Sequence, residues 1–240
     1  MSGQYARPVS APVQAVIFDL DGTLVDHVAS VTAALHSWLP RLGHAATEDL
    51  VAEWFAAEER HFPAWRARQI TFAEQRRRRL RDFLPLLGIT PGNDASLDDV
   101  FAGYLRRYEA SWTKFDDVDA ALAALAENGL KTAILSNGTV EQQNAKIAAV
   151  GLSGRVGPVF TAEGLGAAKP DPSSYLMVCT HLGIEPDRVL HVGDLYDLDV
   201  VAARAARLQA LHLDRADRGP HEESQRITSL SELPQRLTTT

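Results

Sequence analysis

Cysteine is almost absent from this chain, with Cys179 alone among 240 residues. A lone thiol excludes an intramolecular disulfide and fits a reducing compartment. Its neighbours Tyr175, Leu176, Val178 and Leu182 follow a helical pattern, so Cys179 reads as a core residue. Long apolar runs are missing as well. None approaches the roughly 20 residues of a membrane-spanning helix, and residues 1–12, rich in Ser, Pro and Gly, contain no apolar core of a signal peptide. A cytoplasmic protein is therefore expected. Positive charge is in deficit too, 24 Lys and Arg against 31 Asp and Glu for a formal net charge of -7, which argues against a nucleic-acid polymer or an anionic membrane as partner. An anionic substrate would have to find its positive charge locally.

What the chain does hold is enough apolar content for a packed core: 45% of its residues are hydrophobic and 23% charged, an ordinary globular balance. Its length suits one large domain, or a core with a modest second unit. The most informative stretch is residues 13–24. An apolar run, Ala15 to Phe18, leads directly into Asp19 and Asp21, followed by Gly22 and Thr23. Such a run is typical of a strand covered on both faces, as in a parallel α/β sheet. Ligands gather at the carboxyl ends of strands in these sheets, which is where the two carboxylates fall. Gly22 permits the sharp turn. Taken alone, the same residues also fit a strand closed by an ordinary Asp-Gly turn.

Two further runs share this form. Lys131 to Leu135 ends in Ser136-Asn137-Gly138-Thr139, and Val189 to Val192 ends in Gly193-Asp194 with Asp199 beyond. Between the first strand and about Lys114 the pattern is helical throughout, with segments around Val28 to Leu39, Leu50 to Phe55, Phe72 to Leu87 and Val100 to Trp112. Strand and helix alternate again from Val118, predicting helices at residues 120–128, 140–150, 172–182 and 198–207 and strands at 159–161 and 210–213. The expected fold is a doubly wound parallel α/β sheet interrupted by an all-helical insertion. The domains would be a core of residues 1–25 and 116–240, with 1–12 a flexible tail, and a helical unit of residues 26–115. Ile227 and Leu230 are expected to pack back on the core.

The ordered set Asp19-Leu20-Asp21-Gly22-Thr23, Ser136-Asn137-Gly138, Lys169-Pro170 and Gly193-Asp194 with Asp199 is similar to the four motifs of the haloacid dehalogenase superfamily of hydrolases, over residues 13 to about 213. Residues 137–151, with Gln143 and Lys146, most resemble the helical-cap branch (subfamily IA) that contains small-molecule phosphatases and nucleotidases. The resemblance implies a Rossmann-like core whose helical insertion closes over the catalytic face and helps choose the substrate. It makes Asp19 the nucleophile that takes up the phosphoryl group and Asp21 the proton carrier. It implies Mg²⁺, held by Asp19, Asp194 and the backbone carbonyl of Asp21, with Asp199 behind them or orienting Lys169. Asp197 is a weaker candidate for that task and reads as a surface acid at a helix start. Lys169 would neutralise phosphoryl oxygens, Ser136 and Asn137 would bind them, and Gly22 and Thr23 would offer backbone amides.

The insertion carries four consecutive arginines, Arg76 to Arg79, which cover most of a helix circumference and cannot all face water. With Phe72, Leu80, Phe83, Leu84 and Leu87 as the apolar stripe, Arg76 falls inside it and should meet an anion, either a carboxylate such as Glu58 or Glu59 or the substrate. His27 and Trp65 are further candidates at this level, each with a packing role as the simpler reading.

Together these features imply a Mg²⁺-dependent phosphomonoesterase acting on a small phosphorylated metabolite, such as a nucleotide or sugar phosphate, by a monomer or homodimer. Dehalogenation is disfavoured, because the dehalogenases of this superfamily lack a counterpart of Asp21. A phosphomutase shares all four motifs, and a non-catalytic binding protein would keep the fold. Two departures from the usual pattern, Leu195 after Gly193-Asp194 and Arg207-Leu208 in place of Ala-Gly, remove no catalytic group.

Overall fold

The computed structural model describes residues 12–238; the expected tail of residues 1–12 lies, Pro12 aside, outside the described residues. The described chain divides into two compact units: the residues up to Leu24 and from Lys114 onward form the first, and Val25–Thr113 forms the second. No helix among the described residues is long and apolar enough to cross a membrane.

The first unit is built on β1 (Ala15–Phe18), whose four side chains are completely buried. Apolar residues on both faces demand a neighbour on each side and a layer above and below. β1 pairs in parallel with β2 (Lys131–Ser136) and with β4 (Val189–Gly193), so that Phe18 stands opposite Ile134 and Val192. With β3 (Val159–Thr161), β5 (Gln209–Leu213) and β6 (Arg226–Ile227) the sheet runs β3-β2-β1-β4-β5-β6, all parallel. The strand order reverses between β1 and β4, so the carboxyl ends of β1, β2 and β4 open a crevice at the switch point of the topology.

Helices supply the covering layers. They are α5 (Val118–Glu127), α6 (Val140–Ala149), the single turn α7 (Ala162–Leu165), α8 (Pro172–Leu182), α9 (Ala202–Ala205) and α10 (Leu233–Thr238). Tyr175, Val178 and Cys179 of α8 join Ala15, Ile17, Ala133 and Leu135 in one core cluster, and burial pushes the Cys179 thiol up to about 11. The helix expected at residues 198–207 differs. A π-helical segment, Tyr196–Val201, precedes α9, and its wider turn carries Asp199 into the interior. Ile227 and Leu230 are buried, and the strand and helix around them, β6 and α10, were not anticipated. β6 spans only two residues, too few to display alternation.

The second unit packs α1 (His27–Trp38), α2 (Glu48–Arg66), α3 (Phe72–Phe83) and α4 (Asp94–Ala110). Asp26, Thr47, Thr71 and Asn93 each accept a first-turn backbone N–H, which explains where these helices begin. Asn93 starts α4 earlier than its apolar pattern suggested. Pro85 ends α3 at Phe83, because proline lacks the N–H needed to continue, and residues Leu84–Leu87 follow as a 3₁₀ turn. Trp38, Trp54, Phe83, Phe101 and Tyr104 form the centre of this core, whereas Val28, the first apolar residue of the segment expected from Val28 to Leu39, is 61% exposed.

In the arginine run, Arg77 binds Asp94 and Asp98, and Arg78 binds Glu74. The buried member is Arg79, which donates to Glu58 Oε2 at 2.6 Å with its guanidinium 4.6 Å from the Trp54 ring. Glu58 Oε1 faces His27 Nε2 at 3.2 Å, while His27 Nδ1 meets the Tyr108 hydroxyl at 2.9 Å. Trp65 packs on Phe62 and Phe72. The expectation that Arg76 turns inward to Glu58 or Glu59 is therefore corrected. The inward stripe of α3 is Gln75, Arg79, Leu80 and Phe83, and Arg76 lies about 60° around the helix from Arg79. Arg76 is half-buried, with its guanidinium 4.4 Å from the Phe72 ring centre and 5.0 Å from that of Phe101. Burial, followed by the charge of Arg79, lowers its pKa.

Candidate active site

At the end of β1 the Asp19 N–H donates to the Val192 carbonyl at 2.9 Å, extending the ladder to β4 by one residue. This fixes the first carboxylate in the crevice, where it is 7% exposed. Lys169 Nζ, 2% exposed, donates to Asp19 Oδ1 and Asp199 Oδ1, both at 2.6 Å. The Asn137 side chain fixes the lysine backbone: Oδ1 accepts from Lys169 N and Nδ2 donates to Lys169 O, each at 2.8 Å. The end of β2 thereby sets the position of a residue 32 places further along.

Asp199 is held from three sides. Besides Lys169, it accepts from His191 Nε2 at 3.0 Å and, through Oδ2, from Leu195 N at 3.0 Å. Gly193 makes room for it, since a Cβ there would stand 2.2 Å from Asp199 Cγ. Asp197 is exposed. Asp194 faces the turn after β1, where a Cβ on Gly22 would come within 2.3 Å of its Oδ2, and Gly22 itself has φ +87°. Glycine is required there for both reasons. The Thr23 hydroxyl, fully buried, lies at 3.5 Å from Asp194 Oδ1, a weak contact.

Asp21 is partly open, with its side chain 28% exposed. Lys146 Nζ donates to its Oδ1 at 2.5 Å, and Gln143 Nε2 donates to its Oδ2 at 3.1 Å and to Ser136 Oγ at 2.6 Å. As acceptor in that last bond, Ser136 keeps its hydroxyl proton for another partner.

Asp19, Asp21, Ser136, Asn137, Lys169, Asp194 and Asp199, with Gly22 and Thr23, thus gather at the ends of three strands in one unit. Arg76 belongs to the other unit. Sequence reasoning missed the tasks of His191, Leu195 N and the Asn137 side chain. Of these only His191 carried a signal, a polar residue within an apolar strand.

The electrostatics follow from burial. Burial raises Asp19, Lys169 pulls it back and Asp199 raises it again, leaving it at about 7. Asp194 is raised well above the usual carboxylate range, by burial first and then by Asp19 and Asp199. Burial would raise Asp199 too, but Lys169 and His191 overcome this and hold it low. Lys169 is raised because Asp19 and Asp199 outweigh its own desolvation, and burial lowers His191.

Asp19, Asp194 and Asp199 can each offer a carboxylate oxygen within 4.8 Å of the others. Three carboxylates around one lysine leave negative charge in excess, and a hard divalent cation answers that need. Asp199 is the poorest ligand of the three, since both its oxygens already accept hydrogen bonds. The donors therefore fit a metal held mainly by Asp19 and Asp194.

A pH dependence follows. A carboxyl raised on folding keeps a proton that the unfolded chain has already released, so its contribution to stability falls as pH rises from about 4 through about 7. Without metal, Asp19 and Asp194 should thus lower the thermal midpoint as pH rises from 5 to 8. Added Mg²⁺ should raise the midpoint more at pH 8 than at pH 5. Equal effects at both pH values would contradict this account.

Residues 13–207 match the family described as haloacid dehalogenase-like hydrolase. The chain belongs to that family. Among relatives of this hydrolase, the phosphoserine phosphatase of Thermus thermophilus is 29% identical over 192 residues, covering 80% of this chain and 73% of its own. The (S)-2-haloacid dehalogenase of Xanthobacter autotrophicus is 33% identical over 210 residues, covering 85% and 79%. In structure, the HAD-hydrolase YfnB of Bacillus subtilis, solved with magnesium, superposes with a TM-score of 0.81 at 20% identity, covering 94% of this chain and 99% of the other. The haloacid dehalogenase-like fold is therefore shared over nearly the whole chain, while these relatives include both phosphatase and dehalogenase names.

Proposed function

We propose that this hydrolase is a Mg²⁺-dependent phosphomonoesterase that works through an aspartyl phosphate on Asp19. The observation that carries the reading is Asp21, a second acid held by Lys146 and Gln143 beside the Asp19–Lys169–Asp199 cluster. A halide leaves carbon as a stable anion and needs no proton, whereas an alkoxide leaving phosphorus needs one. A separate proton carrier suits the second reaction.

In the first half of the reaction a carboxylate oxygen of Asp19 bonds to phosphorus, the bond to the ester oxygen breaks, and Asp21 gives that oxygen its proton. In the second half Asp21, now ionised, takes a proton from water, whose oxygen bonds to phosphorus as the bond to Asp19 breaks. Lys169 offsets charge on Asp19 and on the phosphoryl oxygens, and Ser136 offers a hydroxyl donor. Asp19, Asp194 and the Asp21 carbonyl would hold Mg²⁺. Bound there, it would neutralise the carboxylates and the phosphoryl group together.

The phosphoserine phosphatase relative supports short organic-acid phosphates as substrates, alongside the nucleotide and sugar phosphates implied by the motifs. Such an acid carries a second anion, and the half-buried Arg76, with no carboxylate within ion-pair distance among the described residues, is our candidate to bind substrate. An unchanged KM in Arg76→Ala across good substrates would refute that role. The buried Cys179 supports a cytoplasmic setting.

The test is release of phosphate from organic-acid, sugar and nucleotide phosphates, and of chloride from 2-chloropropionate, with Mg²⁺ or with chelator. Metal-dependent phosphate release without chloride is expected. Metal-independent chloride release without phosphate would overturn the reading in favour of the activity in the Xanthobacter relative's name.

A further inference from the structure

We infer that Lys146 and Gln143 are positioning residues for Asp21, holding its carboxyl where the ester oxygen and the attacking water must meet it. This rests on the phosphatase reading and names a task that Asp21, Asp19 and the metal ligands leave unassigned. The two side chains lie three residues apart on α6, on the same face as the buried Ile147. Both are buried, Lys146 at 2% and Gln143 at 3% exposure. Placing a lysine there requires a counter-charge, and the carboxylate it reaches is that of Asp21, 125 residues away in sequence.

The two contacts divide the carboxyl between them. Lys146 Nζ donates to Asp21 Oδ1 at 2.5 Å, while Gln143 Nε2 donates to Oδ2 at 3.1 Å and to Ser136 Oγ at 2.6 Å. The ammonium anchors one oxygen by charge, and the amide ties the other to the end of β2, so the orientation of the Asp21 carboxyl is set from α6.

The experiment compares an alkyl phosphate substrate with p-nitrophenyl phosphate in the parent, Lys146→Met, Lys146→Arg and Gln143→Met. p-Nitrophenolate leaves without a proton, but breakdown of the aspartyl phosphate still needs a base. Lys146→Met should lose about 100-fold in kcat on the alkyl ester with KM little changed. On the aryl ester it should show a burst of about one nitrophenolate per active site, followed by slow turnover. Lys146→Arg should recover about tenfold of the loss, and Gln143→Met should lose about tenfold in the same manner. A crystal structure of Lys146→Met should find the Asp21 carboxyl displaced.

Equal losses on both esters without a burst, a change in KM alone, an arginine variant no better than methionine, or an unmoved Asp21 would overturn the inference. Should Lys146→Met not fold, Gln143→Met and Lys146→Arg carry the same comparison. A parent enzyme inactive on every phosphate ester would instead overturn the phosphatase reading itself, leaving the displacement of Asp21 as the separate test of positioning.

Discussion

Asp19→Asn should reduce turnover to the background of the assay, a loss of about 10⁴-fold or more, while the protein remains folded. The amide keeps the shape of the carboxylate but neither its nucleophilicity nor its charge. It also removes one of the two anions facing Lys169 Nζ, and one of the metal ligands. Its thermal midpoint without metal should equal or exceed that of the parent above pH 7, because an isosteric amide relieves the crowding of Asp19, Asp194 and Asp199. Loss of activity with gain in stability separates a damaged reaction from a damaged fold. A variant that retained even a tenth of parent turnover would remove Asp19 from the role of nucleophile.

Lys169→Met should have the next largest effect, about 10³-fold or more in kcat/KM, equivalent to about 4 kcal/mol of transition-state stabilisation. The ammonium is the only cation that any described contact brings to Asp19 or Asp199, apart from a protonated His191. Burial lowers the pKa of His191, which therefore prefers to donate to Asp199 as a neutral ring. Removing the lysine leaves Asp19 and Asp199 buried together with no full positive charge. The consequence for stability has a definite sign. Lys169 holds Asp199 below the ordinary carboxylate range, so its contribution is present above about pH 4 and lost as pH falls further. The variant should be less stable than the parent at pH 8 in the absence of metal, and the difference should close toward acid pH. A difference that widened in acid would contradict the ion-pair assignment.

The sequence revealed most where strand and chemistry coincide. Ala15 to Phe18, Lys131 to Leu135 and Val189 to Val192 are short apolar runs that end in polar or acidic residues, and in the sheet they are adjacent and in register. Their ends were bound to meet once the sheet was parallel, so the crevice was legible before any coordinate. Lys169 lies in a loop with no periodic pattern, and it was recognised by its order between Ser136 and Asp194. Its two carboxylate partners, and the Asn137 side chain that holds its backbone, depend on how β2 and the loop before α8 meet.

Other features were out of reach for local reasons. The arginine run made one buried guanidinium necessary, but the choice between Arg76 and Arg79 turned on about 60° of helix phase, and Arg79 with Glu58 took the inward place. Lys146 and Gln143 stood out only through a resemblance, since two polar residues on a helix ordinarily face solvent. What turns them inward is the position of α6 directly after Ser136, which brings its first two turns against the loop after β1. The π-helical segment before α9 has no counterpart in an apolar pattern, because it is the capture of Asp199 by Lys169, His191 and Leu195 N that stabilises it.

The most direct test of the central claim is to trap the covalent intermediate. The parent enzyme with Mg²⁺ and its best phosphate ester is quenched in acid within the first turnovers, digested, and read by mass spectrometry. The account predicts added phosphate on the peptide containing Asp19, absent in Asp19→Asn and absent when a chelator replaces the metal. Rapid phosphate release with no phosphate on Asp19 at any quench time, together with turnover retained in Asp19→Asn, would contradict the account and leave direct attack of water on the ester phosphorus in its place.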